Sequence, residues 1–177
     1  MLTDMRLEGN GFIIRPWRAG DEASLVRHAN NRKIWRNLLA SFPHPYRMED
    51  AVWWIREAQT QRAPIENLAI EIDGEACGAI GLKRFDDAAY CYTREIGYWL
   101  GEQYWGRGVM TAAVGLFSTY AWDAFALARL EACVFAWNPG SARVLEKNGY
   151  VLEGIQRNLI YKDNAFVDGL LYAKTTR

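Results

Sequence analysis

Hydrophobic and polar positions change period several times along the chain, and each change marks an element. Residues 11–17 (GFIIRPW) form a short apolar run bounded by Gly11 and by Arg18-Ala19-Gly20, which predicts a strand. Asp21 and Glu22 then supply the anions that suit a first helical turn. From residue 23 to 39, Leu25, Val26, Ala29, Ile34, Trp35 and Leu38 recur at mixed helical spacing. That predicts one or two helices, broken near Asn30-Asn31. Residues 41–46 (SFPHPY) form a loop, because two closely spaced prolines exclude regular pairing. Residues 49–61 are a helix candidate with Val52 and Ile55 on one face and the Trp53-Trp54 pair beside it.

At Asn67 the period shortens. Residues 67–72 and 75–85 flank Asp73-Gly74, the signature of a tight hairpin. A strand follows over 94–100 (REIGYWL), a glycine loop over 103–108, and an apolar helix over 109–125. Residues 129–137 (RLEACVFAW) predict another strand. Residues 139–148 predict a short helix, opened by Asn138 and Pro139 and closed by Gly149. Strands over 150–155 and 166–173 complete the order β-α-α-β-β-β-α-β-α-β-β. This is one mixed α/β domain over residues 1–177, without repeats or low-complexity linkers.

Composition agrees with a globular fold and removes several classes. Half of the 177 residues are hydrophobic, enough for a core without cross-links. Twenty-one basic and twenty-one acidic side chains give no net charge, which argues against nucleic acid as a partner. The balance tilts slightly, with ten basic and seven acidic residues up to position 62 and a matching acidic excess beyond. An acidic, amine-attracting pocket in the second part is therefore a weak expectation. Cys77, Cys91 and Cys133 are odd in number and widely spaced, so neither a disulfide framework nor a metal site is expected, and a reducing cytoplasm is the natural compartment. The first ten residues carry acids and no apolar core, unlike a signal peptide. The apolar stretch 109–127 is interrupted by Thr111, Gly115, Ser118 and Asp123, short of a membrane span.

The chemistry centres on residues 102–111, EQYWGRGVMT. A strand ends at Leu100, Gly106 and Gly108 follow, and an apolar helix begins at once. Such a junction presents free backbone N–H groups and the positive helix end to an anion. The third glycine of the dinucleotide fingerprint is missing, since Thr111 stands there, and no Gly-Lys-Ser/Thr of a Walker loop follows. A pyrophosphate ligand of another kind fits best. The run Gln103-Tyr104-Trp105-Gly106-Arg107-Gly108 resembles the Gln/Arg-x-x-Gly-x-Gly/Ala signature of the GNAT superfamily of acetyl-CoA-dependent N-acetyltransferases. Glu95-Ile96-Gly97-Tyr98-Trp99-Leu100 is similar to that family's fourth strand. The stretch from Asn138 through Ser141 to Glu146-Lys147-Asn148-Gly149-Tyr150 resembles the branch acting on ribosomal-protein N-termini, the RimJ/RimL type.

The resemblance implies the GNAT fold: a central mixed, mostly antiparallel sheet flanked by helices, with splayed fourth and fifth strands and acetyl-CoA between them. It implies that the backbone of Tyr98, Trp99 and Leu100 meets the pantetheine and thioester, with an oxyanion-donating N–H near Trp99. Gln103 and the N–H groups of Trp105, Gly106, Arg107, Gly108, Val109 and Met110, with Thr111, would hold the pyrophosphate. Asn138 and Ser141 would contact the pantetheine amide and sulfur end, and Lys147 or Arg107 a phosphate. Acyl transfer to an amine needs a base for the ammonium and a proton for the leaving thiolate. Glu95 is the base candidate. Leu145 stands where many relatives have a tyrosine acid, which leaves Ser141, Tyr150, Tyr161, Tyr172 or no residue as the acid. Cys133 on a following strand makes an acetyl-cysteine route conceivable, although an apolar-strand cysteine is ordinarily core. Trp35, Phe42, His44 and Tyr46 would shape the acceptor pocket.

The acceptor stays open: a protein N-terminal amine, a small amine such as a polyamine, or an amine-bearing antibiotic. A polyamine would require clustered carboxylates, for which Glu49, Asp50 and Glu57 are candidates. A non-catalytic acetyl-CoA sensor or scaffold on the same fold is the alternative reading, and a generic nucleotide-phosphate binder a third. Monomer and homodimer are both normal for the resembled family.

Overall fold

The computed structural model describes residues 5–176. A short ribbon of β1 (Leu7–Gly9) and β2 (Phe12–Arg15) opens the chain, so the predicted first strand is shorter and has a partner that the apolar pattern did not reveal. The predicted helical region is broken at Asn30-Asn31 into α1 (Glu22–Ala29) and α2 (Arg32–Trp35). Both asparagines fix the break: Asn31 accepts from the Lys33 N–H at 2.8 Å, and Asn30 accepts from the Tyr46 N–H at 3.0 Å. In α3 (Met48–Gln59), Asp50 reaches back to the Arg47 N–H at 2.7 Å.

The hairpin of β3 (Asn67–Ile72) and β4 (Glu75–Lys83) turns on Asp73 and Gly74, both at positive φ as a type I′ turn requires. Next come β5 (Thr93–Leu100), α4 (Val109–Phe125), β6 (Arg129–Phe135) and α5 (Pro139–Lys147), with Asn138 as cap and Gly149 at φ +78° past the end. The last two strands are longer than predicted. β7 (Val151–Lys162) and β8 (Ala165–Thr175) meet at Asp163-Asn164, a second turn with two positive φ values. Polar Gln156, Arg157 and Asn158 sit at an irregular stretch of β7, which hides its second half from an apolar-pattern reading.

The eight strands form one sheet in the order β1-β2-β3-β4-β5-β6-β8-β7. Every pairing is antiparallel except β5 with β6. Those two pair only from Thr93–Arg129 to Glu95–Glu131; beyond Glu95 no further partners link them. The strands expected to splay are these two, fifth and sixth once β1 is counted.

Strand alternation divides the core across the sheet. On one side Ile96, Leu100 and Leu130 pack with Val114 and Phe117 of α4 and Leu145 of α5. On the other, Trp99 and Ala79 pack with Leu25 of α1 and with Ala51 and Ile55 of α3. Phe117, Leu130 and Leu145 are fully buried, each burial being worth about 1.5–3 kcal/mol. Among the described residues no helix is long and apolar enough to cross a membrane, no His/Cys/Asp/Glu cluster is suited to a metal ion, and the three cysteines are free.

Candidate active site

Where β5 and β6 part, a cleft of about 1470 Å³ runs through the sheet. Ordinary small-molecule pockets occupy roughly 300–1,000 Å³, so this one exceeds the usual range. Its two halves belong to opposite faces of the sheet.

The α4–α5 half begins at the glycine loop. Gly106 and Gly108 have φ of +74° and +79°, which only glycine adopts without strain. Gly108 starts α4 with no side-chain cap and no acid in the first turn. The first-turn N–H groups are thus uncapped, and Gly106, Gly108, Val109, Met110 and Thr111 line the cleft. Trp105 lines it too and fixes the loop by donating its indole N–H to the Leu100 carbonyl at 2.7 Å. Asn138, Ser141 and Lys147 line the same half, and Asn138 Oδ1 is engaged in capping the Ser141 N–H at 3.3 Å. Gln103 and Arg107 do not line it; Arg107 folds over the Tyr104 ring, 5.7 Å from its centroid. Arg143 does line it, one turn before Lys147, a pair that the four-residue spacing on one helix could have revealed.

Tyr98, Trp99 and Leu100 all line the cleft. The Gly101 N–H bonds the Cys77 carbonyl at 2.8 Å, so the backbone groups of Trp99 point toward β4 in alternation. Those of Tyr98 and Leu100 point into the gap, which moves the available N–H one residue from the predicted Trp99. The Tyr98 side chain has a role that the sequence did not disclose. Its hydroxyl lies 2.9 Å from the Ser141 hydroxyl and 3.2 Å from the Ser141 carbonyl oxygen. Burial pushes the Tyr98 phenol pKa up, partly offset by the Ser141 bond. The other tyrosine candidates are elsewhere. Tyr150 is buried against the Ser118 hydroxyl at 2.9 Å, Tyr172 donates to Glu146, and Tyr161 is exposed on β7; none lines the cleft.

On the opposite half, Glu95 lines the cleft on the Trp99 side of β5, its side chain 27% exposed. Its neighbouring cation is Lys83 at 3.7 Å, and not Arg94, which turns to Glu66 and to the carbonyls of Cys91 and Thr93. Cys133 lines the cleft from β6; burial, then Glu95 and Glu131, push its thiol pKa up. Phe42 and Tyr46 form an aromatic wall with Trp99, the Phe42 ring lying 5.0 Å from Tyr46 and 5.8 Å from Trp99. Trp35 and His44 do not line the cleft. They stack on each other at 5.5 Å, with the Lys162 ammonium 4.0 Å from the Trp35 ring. Of the three helix carboxylates, Asp50 alone lines the cleft. With Lys33, Arg36, Lys83, Arg143 and Lys147 against Asp50 and Glu95, the lining is basic, and the acidic pocket expected from the charge tilt is absent among the described residues.

Residues 12–151 match the family model of the acetyltransferase (GNAT) domain. The chain is 33% identical over 105 residues to the putative ribosomal N-acetyltransferase YdaF of Bacillus subtilis, a match spanning 59% of this chain and 56% of that protein. It is 32% identical over 168 residues to the probable N-acetyltransferase YjcK of the same organism, 92% of each. The solved structure of Mycobacterium smegmatis RimJ in complex with CoA-disulfide superposes with a TM-score of 0.77 at 28% identity, covering 93% of this chain and 82% of that one.

Proposed function

Because the chain belongs to the GNAT acetyltransferase family, we propose that it transfers an acetyl group from acetyl-CoA to a primary amine by direct attack, with Glu95 as the general base. The observation that carries this reading is the through-sheet cleft: an uncapped helix N-terminus opens on one face and an acid beside an aromatic wall on the other. Acetyl-CoA fits the first half by its chemistry. The α4 N–H groups suit its pyrophosphate, Arg143 and Lys147 suit its phosphates, and the free edge of β5 offers the backbone groups of Tyr98 and the N–H of Leu100, whose carbonyl holds the Trp105 indole, to an amide-bearing arm.

When bound, acetyl-CoA supplies an activated acetyl thioester; the chain supplies position and proton management. Glu95 takes a proton from the approaching ammonium, directly or through water. The gap-facing N–H of Leu100 donates where negative charge develops on the carbonyl oxygen. Ser141 passes a proton to the departing sulfur and regains one, directly or through water, from the nitrogen of the collapsing tetrahedral intermediate. The Tyr98 phenol has a single proton. When it is given to the Ser141 hydroxyl oxygen, the Ser141 proton is free to point into the cleft. The raised Cys133 pKa disfavours a thiolate and with it an acetyl-cysteine route.

Thiol release from acetyl-CoA with a panel of amines tests the proposal. Amine-dependent turnover supports it, whereas tight acetyl-CoA binding without turnover for any amine favours the sensor reading. Two variants refine it. Gly108→Val forces a β-branched residue to φ +79°, at a cost of roughly 1–2 kcal/mol. Calorimetry is expected to show about tenfold weaker acetyl-CoA binding. Cys133→Ala is expected to keep turnover, and intact-protein mass spectrometry of the wild type with acetyl-CoA alone should show no acetyl adduct.

A further inference from the structure

The acceptor half of the cleft discriminates among amines by its lining. Its walls are aromatic and aliphatic: Phe42, Tyr46 and Trp99 form a continuous inner surface, and Trp54, Leu39 and Trp53 extend it toward solvent. Trp53 and Leu39 are 62% and 53% exposed, although both are large and apolar. Apolar side chains left in water beside a cleft mark a surface that an apolar ligand covers.

Charge narrows the class further. The carboxylates lining the cleft are Glu95 and Asp50, and the cations of the same half are Lys33, Arg36 and Lys83. Lys33 pairs with Glu102 and Arg36 with Asp163, both outside the lining, so their partners do not add acid to the cleft. Asp50 is engaged with the Arg47 N–H, and Glu95 has Lys83 beside it. A single amine finds Glu95 beside the aromatic wall. The further ammonium groups of a polyamine find only Asp50 besides, in a lining that also holds the cations Lys33, Arg36 and Lys83.

We infer that the acceptor is a monoamine with a bulky apolar group, aromatic or branched aliphatic, next to the amine-bearing carbon. That group packs against Phe42, Tyr46 and Trp99 while the amine reaches Glu95. The inference rests on the acetyltransferase reading and selects its substrate class. The chemistry is shared by a free amine and by a peptide that begins with a bulky apolar residue, so the test carries both.

Turnover is measured with 2-phenylethylamine, phenylalanine amide and otherwise identical peptides beginning with Phe, Leu, Ser or Ala, alongside spermidine and an aminoglycoside. The expected result is a kcat/KM at least about tenfold higher for bulky apolar acceptors than for Ser or Ala peptides, the scale of a few buried methylenes. Spermidine and the aminoglycoside should be poorer still. Comparing the amide with the Phe peptide identifies which source is preferred. Phe42→Ala is expected to collapse the Phe-over-Ala preference about tenfold through KM, while an unchanged KM for acetyl-CoA reports an intact fold. A preference for polycations or for Ser and Ala peptides overturns this inference and leaves the acetyltransferase reading standing. Absence of turnover with every acceptor, with acetyl-CoA still bound, overturns both.

Discussion

Glu95→Gln is expected to lower kcat by about 10²-fold or more, the usual contribution of a positioned general base. The amide matches the carboxylate in size, so the walls of the cleft stay in place, and it cannot accept the ammonium proton. Glu95 is on the Trp99 side of β5, while the glycine loop, Ser141 and Lys147 belong to the α4–α5 side. The acetyl-CoA dissociation constant should therefore hold steady as kcat falls. The lost contact with Lys83 has little bearing on stability, because that pair is 3.7 Å apart and Lys83 is two-thirds exposed. The pH profile separates base from bystander. Without a base, turnover continues to climb with pH as the acceptor amine loses its own proton, so the defect shrinks at high pH. A variant that keeps wild-type kcat at neutral pH removes Glu95 from the mechanism and leaves amine selection to the free-base fraction. A variant that loses acetyl-CoA affinity as well shows a structural role instead.

The parts of this site that were legible in the sequence are those whose chemistry is local. Gly106 and Gly108 announce positive φ because little else tolerates it, and both adopt it. Asn138 and Pro139 announce a helix start, and Asp73-Gly74 a tight hairpin. Glu95 and Trp99 share a face by simple alternation. The parts not legible depend on contacts between distant segments. Nothing near Tyr98 in the chain signals that its hydroxyl meets Ser141, 43 positions on. Trp35 and His44 have the composition of a pocket wall, yet they stack on each other while Phe42 and Tyr46 face the cleft. Arg107 sits inside the loop motif and turns away over Tyr104, whereas Arg143, outside the motif, lines the cleft. The Asp163-Asn164 turn did carry a local signal, because Asp and Asn tolerate left-handed backbone, and it would have doubled the predicted length of β7.

Arg15 is the clearest case of a determinant hidden within an apolar run, and Arg15→Met is expected to be among the most damaging single changes outside the cleft. Arg15 ends β2 with its side chain 8% exposed; it donates two bonds to the Asp21 carboxylate, at 2.7 and 2.8 Å, and one to Glu71 in β3. Burial alone would lower the Arg15 pKa, but the hydrogen bonds to the two carboxylates raise it above the usual value. Removing the guanidinium leaves two nearly buried carboxylates, with side-chain exposures of 5% and 11%. Breaking such a buried set by deleting one partner costs about 3–5 kcal/mol. Arg18, more than half exposed, still reaches Glu71 at 2.8 Å, which places the expected loss near the lower end. Near 3 kcal/mol, a chain of this length should melt roughly 6–12 °C lower. The network joins β2 and β3 to the start of α1, and Leu25 of α1 shares a core with Tyr46 and the partly buried Phe42 and Trp99, so the acceptor wall should loosen with it. Calorimetric melting of Arg15→Met checks the stability, and the KM for the amine checks the wall. Neutralising the carboxylates as well, by adding Asp21→Asn and Glu71→Gln, should recover part of the loss, because the cost lies in stranded charge more than in missing volume. A single variant within about 1 kcal/mol of wild type would show that water reaches both carboxylates, and the network would then be peripheral to the fold.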